Sequence, residues 1–289
     1  MTLDQRIQKD LTELYNGGAT PGVIQDALAL DGLIQAKPGQ TSFATKALPL
    51  YCTGDRKAKT VLVMLNPGED VDTANNNLRC DILKHSMQDA KDVNNYHGWC
   101  ANYGHIDRLR LDNFDLKQAF FLHKWPSTGI TFPASFRAKP KCDDAILREA
   151  KEAVLTQKLQ LELIPYASST FGSFVNSKIS LAFPFVETLF EEIFSHDRRY
   201  VIFCSRKFER VFKEYNKEHP NTIDFIRTVS QQIPGSKING SCTVINIKQN
   251  GKPIRAIIAN TFPNQALPNA YEKMEKYGEF CYNVIQSKP

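Results

Sequence analysis

The chain has 289 residues, 42% hydrophobic and 23% charged, with 36 basic against 31 acidic side chains for a net charge of +5. That length and composition describe an ordinary soluble protein with a well-filled core, one large α/β domain or two small ones, and the charge permits nucleic-acid binding without requiring it. No apolar run approaches the ~20 residues of a membrane span, the N-terminus MTLDQRIQKDLTELY has no signal-peptide core, and seven scattered cysteines without a C-x-x-C pair suggest neither a disulfide framework nor a zinc or iron–sulfur site, which points to the reducing cytoplasm.

In chain order, Leu3, Ile7, Leu11 and Leu14 recur at helical spacing, and Asn16-Gly17-Gly18 stops the helix. Thr20-Pro21 has the form of an N-cap followed by proline, opening a second helix to about Leu30. A polar link through Lys37-Pro38-Gly39 and Tyr51–Asp55 leads to Val61-Leu62-Val63-Met64-Leu65, a short apolar run that predicts a strand buried on both faces. It ends at Asn66-Pro67-Gly68. Pro67 cannot donate to a ladder, and Gly68 permits a geometry or an approach that a side chain would forbid.

Residues 71–142 read as a long irregular insertion rich in aromatic and imidazole side chains: Tyr96, His97, Trp99, Tyr103, His105 and Trp125. Within it Gln118–Leu122 is expected to be a strand ending at His123-Lys124-Trp125-Pro126. Beyond it come a helix from Asp143-Asp144 to about Lys158 and a strand Leu159–Ile164 ending in Pro165-Tyr166-Ala167-Ser168-Ser169. A helix opening at Ser180, a strand Arg199–Cys204 and the amphipathic helix SRKFERVFKEY follow. Ser241–Lys248 and Pro253–Ala259 flank Asn250-Gly251, a strong hairpin signal. The second arm runs into the loop 260–268, and a helix from about Ala270 to Gln286 comes last. Residues 1–57 thus read as a helical extension on the same core and 58–289 as an α/β domain. Right-handed crossovers in such a domain bring the loops at 66–68, 165–169 and 260–268 to one edge of a parallel sheet, where open α/β sheets place ligands.

Leu65-Asn66-Pro67-Gly68 after an apolar strand resembles the first motif of the uracil-DNA glycosylase superfamily, closest to the mismatch-specific and thymine-DNA glycosylase branch with its Gly-Ile-Asn-Pro-Gly. The resemblance implies a three-layer α/β/α fold with a short central parallel sheet. It also implies a monofunctional glycosylase that flips a base out of DNA and hydrolyses its N-glycosidic bond. Asn66 would orient the attacking water, with Asp70 as a candidate assistant. Leu65, Pro67, Gly68 and Glu69 would shape the base pocket. Tyr166, Ser168, His123, Trp125 and Asn260 are further candidates for substrate contact, Tyr166 by stacking.

In the second-motif position, Asn260 and Pro263 are present but the Ser-Gly core of the family motif is missing. Phe262 or Leu267 is either the wedge that fills the hole left by the flipped base or packing beneath the loop. Ser169, Pro263, Asn264, Arg137 and Lys139 are candidate DNA contacts. The basic residues Arg206, Lys207, Arg210 and Lys213 read as a solvated helix face. The aromatic insertion suggests a bulky modified base, such as glucosylated hydroxymethylcytosine of phage DNA, excised in antiviral defence. DNA is the expected partner of a cytoplasmic monomer that needs no cofactor and no metal. A nucleic-acid-binding module that has lost the chemistry is the alternative.

Overall fold

The structure, a computed structural model, describes residues 1–15, 22–68, 71–77, 92–102, 113–137, 144–169, 171–235, 239–260 and 271–287. It is an α/β protein. Its strands are β1 (Cys52–Gly54), β2 (Thr60–Met64), β3 (Leu159–Glu162), β4 (Tyr200–Phe203), β5 (Ile223–Gln232), β6 (Asn239–Gln249) and β7 (Lys252–Ala259). They form one mixed sheet in the order β1-β3-β2-β4-β7-β6-β5. The helices are α1 (Leu3–Tyr15), α2 (Gln25–Ala29), α3 (Val71–Asn77), α4 (Val93–Asn102), α5 (Asn113–Leu122), α6 (Asp144–Gln157), α7 (Phe183–Phe194), α8 (Lys207–Glu218) and α9 (Tyr271–Gln286). By compactness the chain divides into two units, one of residues 1–53, 64–102 and 161–195, the other of 54–63, 103–160 and 196–289.

In the first unit, α1 buries Leu3, Ile7, Leu11 and Leu14 as its spacing requires. Its polar residues also turn inward. Arg6 donates to Thr188 Oγ1 (2.6 Å), to Asp26 of α2 (3.0 Å) and to the Pro184 carbonyl (2.9 Å), and its guanidinium lies 4.4 Å from the Phe185 ring centre. One side chain thereby ties α1 to α2 and α7. Ahead of α7, residues Asn176–Ala182 form a 3-10 turn, so the α-helix opens at Phe183 with Pro184 in its first turn rather than at Ser180. The described part of the second helix is only Gln25–Ala29; Thr20 and Pro21 lie outside the described residues.

In the second unit, β4 runs parallel to β2 (Thr60↔Tyr200 to Val63↔Phe203) and to β7 (Val201↔Ala256 to Phe203↔Ile258). The β6–β7 hairpin turns at Asn250 (φ 50°) and Gly251 (φ 76°), the two left-handed residues that an Asn-Gly turn supplies. β5 then pairs antiparallel with β6, so the sheet is mixed rather than parallel throughout. The strand β5 was not foreseen; along it Phe225, Arg227 and Val229 are half-buried while Ile226, Thr228 and Ser230 are exposed.

Two expectations for 71–142 need correction. The segment is not irregular, because its described parts include α3, α4 and α5. Gln118–Leu122 is the end of helix α5 and not a strand. Every residue from Leu116 to Leu122 is buried, and a short apolar run buried all round has no period that separates strand from helix. α5 lies against α9 at Gly278, where a Cβ would stand 1.9 Å from the Phe121 carbonyl oxygen, so only glycine allows this approach. The link at 51–55 also contains a short strand, β1.

Candidate active site

β2 places five consecutive buried residues in the sheet, and Leu65 continues the apolar run at 8% exposure. In the strand order β3 lies on one side of β2 and β4 on the other. The chain order therefore reverses at β2, and the carboxyl end of such a strand is where open α/β sheets take ligands. Beyond Met64 the first unit continues the pairing by Leu163 N–H to the Met64 carbonyl and Ile164 N–H to the Leu65 carbonyl (both 2.9 Å). A parallel bridge between Gly68 and Ser168, with Ser168 N–H to the Pro67 carbonyl (3.2 Å), closes it. Residues 66–68 and 166–168 are thus zipped side by side, as the sequence reading expected of two of its three loops.

The Asn66 side chain is half-buried and has a single orientation that satisfies its surroundings. Nδ2 donates to the Pro67 carbonyl and to Ser168 Oγ at 2.8 Å each, with the Tyr166 carbonyl farther off at 3.4 Å. Carbonyl oxygens only accept, so the nitrogen must be the atom that faces them. Among the described residues Oδ1 accepts no hydrogen bond. The result is an acceptor with its donor half locked away.

Pro67 is buried and Gly68 exposed. Gly68 does not have a positive φ, and among the described residues nothing lies within 4 Å of the position a Cβ would take. The backbone conformation therefore does not demand glycine; bare space in front of the strand end is what glycine leaves.

Beneath this loop is a buried polar cluster. Asp10 of α1 has no exposed surface, and its Oδ2 accepts from the phenols of Tyr51 (2.7 Å) and Tyr166 (2.8 Å). Its Oδ1 is buried without a hydrogen-bond partner among the described residues. Burial pushes this carboxyl up to about 7 against the two phenol bonds, which pull the other way. Tyr166 is 1% exposed and packs edge-on to Tyr51 and Phe185. Its ring therefore has no free face for stacking on a base, and what it offers the Asn66 side is its carbonyl. Sequence reasoning missed Asp10 and Tyr51. The signal was present, since Asp10 falls on the same helical stripe as Leu3, Ile7 and Leu14.

The candidates of the second unit lie in a different setting. His123 Nδ1 meets Glu275 Oε1 at 2.9 Å, and its ring stands edge-on to Phe136 and Phe132. Trp125 is 2% exposed and donates from Nε1 to the Gly278 carbonyl (2.8 Å). Both border an open cleft of about 430 Å³ along residues 123–130, with Phe132 as a further wall. Asn260, at the carboxyl end of β7, is 7% exposed. Its Oδ1 accepts from Ser241 N–H (3.2 Å), its Nδ2 donates to the Asn239 carbonyl (3.4 Å), and its backbone N–H donates to Tyr277 Oη (2.6 Å).

Ser169 is exposed next to Ser168, and the backbone of Arg137 ends a 3-10 turn. Glu69, Asp70, Lys139, Phe262, Pro263, Asn264 and Leu267 lie outside the described residues. Among the described residues no group of three histidine, cysteine or carboxylate side chains is placed to hold a metal ion, Cys52, Cys204, Cys242 and Cys281 form no disulfide, and no helix is long and apolar enough to cross a membrane. In comparisons with known proteins, no family model, no curated protein and no solved structure matches this chain.

Proposed function

We propose that this chain is a monofunctional DNA glycosylase on a uracil-DNA-glycosylase-like fold, with Asn66 as the residue that orients the attacking water. The observation that carries the reading is the amide of Asn66, its nitrogen pinned by Pro67 and Ser168 and its oxygen without a partner among the described residues at the carboxyl end of a buried strand. A water that donates to Oδ1 has its lone pairs turned away from the protein. In the reaction that water oxygen bonds to the sugar C1′ while the C1′–N bond breaks, the base takes the bond's electron pair, and the proton lost by water balances the charge on the base. An amide is a poor base, so its contribution is aim: holding the reactant in a near-attack geometry removes much of the entropic part of the barrier. A duplex base reaches such a site only after leaving the stack, and the bare backbone at Gly68 leaves room for the sugar.

The substrate panel includes mismatched and damaged bases and a bulky base such as glucosylated hydroxymethylcytosine. For the last, the aromatic support is reduced, because Tyr96 and Trp125 are core residues at 0% and 2% exposure. A second reading, a nucleic-acid-binding module without chemistry, draws on Asn260, whose side chain is fully engaged inside the β6–β7 hairpin.

Alkali-induced strand cleavage, which reports abasic sites, separates the two. Nicks made by the native chain and absent with Asn66→Ala support the glycosylase and name its base. DNA binding with no nicks on any substrate favours the binding module.

A further inference from the structure

We infer that Asp10 is a positioning residue for Asn66, acting through Tyr166 from a helix more than fifty residues upstream; this rests on Asn66 as the water-orienting residue. A buried carboxyl with an unsatisfied oxygen costs stability that an apolar side chain would not. Position 10 lies on a stripe otherwise made of Leu3, Ile7 and Leu14, where leucine would pack without that cost. What the carboxyl gains is a pair of donors from distant parts of the chain. Oδ2 receives Tyr51 Oη and Tyr166 Oη, which lie 3.4 Å from each other, so one oxygen fixes both phenols.

Each phenol belongs to a wall of the site. Tyr51 ends a strap whose backbone holds the 165–168 loop, by Leu50 N–H to the Pro165 carbonyl (2.8 Å) and Ala44 N–H to the Ala167 carbonyl (2.9 Å). The strap is anchored again where Tyr51 N–H donates to Tyr96 Oη and Tyr96 Oη donates to the Pro49 carbonyl. Tyr166 belongs to the loop itself. Its phenol is held by Asp10 at one end, while at the other its carbonyl, and Ser168 two residues on, face Asn66 Nδ2. The path from Asp10 to the amide of Asn66 is thus one side chain and one peptide long. A displacement of about 1 Å in a positioning group is enough to cost a reaction on the order of 10²-fold.

The test uses the full chain with Asp10→Leu, which removes the acceptor, Tyr166→Phe, which removes one hydroxyl, and Asp10→Asn, whose amide oxygen still accepts both phenols. The first measurement needs no DNA. It is the side-chain carboxamide cross-peak pair of Asn66 in a nitrogen–proton correlation spectrum, identified as the pair missing in Asn66→Ala. Both disrupting variants are expected to move that pair, and Asp10→Asn to return it to its native place. The second measurement is glycosylase turnover, expected to fall at least tenfold in kcat with KM within twofold, again rescued by Asp10→Asn.

Tyr166→Phe changes a single atom and keeps the test open if Asp10→Leu does not fold. A cross-peak pair that stays put in Tyr166→Phe, and in folded Asp10→Leu, overturns the role of Asp10 whatever the activity. Absence of turnover in the native chain alongside a moved pair overturns the glycosylase assignment and leaves the positioning path standing.

Discussion

Two asparagines end two parallel strands of this sheet, and they are used in opposite ways. Asn66 follows β2 half-buried, with its nitrogen held by the loop that carries it and its oxygen free of described partners. Asn260 follows β7 at 7% exposure, with oxygen, nitrogen and backbone N–H all engaged by Ser241, Asn239 and Tyr277. The residue type is the same and both stand just past a strand end, Asn66 beyond Met64 and Leu65, Asn260 directly after Ala259. What differs is the supply of partners: a tyrosine hydroxyl that donates onward to the Ser241 carbonyl completes the second amide's surroundings, whereas the first faces acceptors on one side only. An asparagine whose bonds are all satisfied within the fold acts as a clamp, whereas one whose oxygen has no partner among the described residues can receive a donor from outside.

The sharpest way to break that contrast is to truncate both. Asn66→Ala is expected to reduce abasic-site formation by roughly 10²–10³-fold, the scale seen when one aligned polar group is lost from an active site, with the thermal midpoint almost unchanged. Asn260→Ala should do the reverse. It leaves Ser241 N–H and the Asn239 carbonyl short of partners in a nearly closed environment, a loss of about 1–3 kcal/mol in denaturant unfolding, while turnover per folded molecule stays near the native value. Equal losses of activity from the two substitutions would end the distinction.

A finer probe is Ser168→Ala. It removes one of the two short acceptors of Asn66 Nδ2, so the amide can rotate, and about a tenfold fall in kcat is expected, equivalent to ~1.4 kcal/mol.

A separate effect is a pH dependence confined to the Asn66 unit. The Asp10 carboxyl titrates near 7 in the folded protein against an ordinary 3.8, so the folded state holds its proton more tightly. Its contribution to stability is complete below pH ~4 and is lost as pH rises through 7, with a slope of at most about 1.4 kcal/mol per pH unit. Unfolding midpoints measured from pH 4 to 8 should therefore lose this slope in Asp10→Asn. The surroundings of Asn260 offer no counterpart, because burial moves the Tyr277 phenol further above its usual 10.

The part of this site legible in the sequence was the part made of adjacent residues. Asn66-Pro67-Gly68 announces itself because an apolar run stops at a residue without an N–H, and Asn250-Gly251 fixes a hairpin for an equally local reason. Two of the three expected loops are also brought together, since the segments that follow β2 and β3 run on side by side in parallel, as alternating strands and helices produce. Illegible was everything decided by partners far away. Asp10 gives no hint of Tyr166, 156 positions on, and Tyr166 gives no hint that its ring is already claimed. The helix α5 was mistaken for a strand because Ala119-Phe120-Phe121-Leu122 is buried from every side. β5 was overlooked because Ile226 takes an outward position and Arg227 an inward one, which breaks the apolar alternation a half-buried strand shows.

The pairing of β2 has a consequence for how the chain is made. Its parallel neighbour β4 begins 140 positions later, at Tyr200 opposite Thr60, and β7 later still. A ribosome that adds roughly 5–20 residues per second leaves Thr-Val-Leu-Val-Met without that neighbour for about 7–28 s. Throughout that interval at least one edge of this β-prone, uncharged stretch stays open, even after its other neighbour β3 has emerged, and such an edge seeks a partner on another chain. Yield in rapid expression should therefore depend on translation speed and on chaperones that shield nascent strands, more than on the stability of the finished fold.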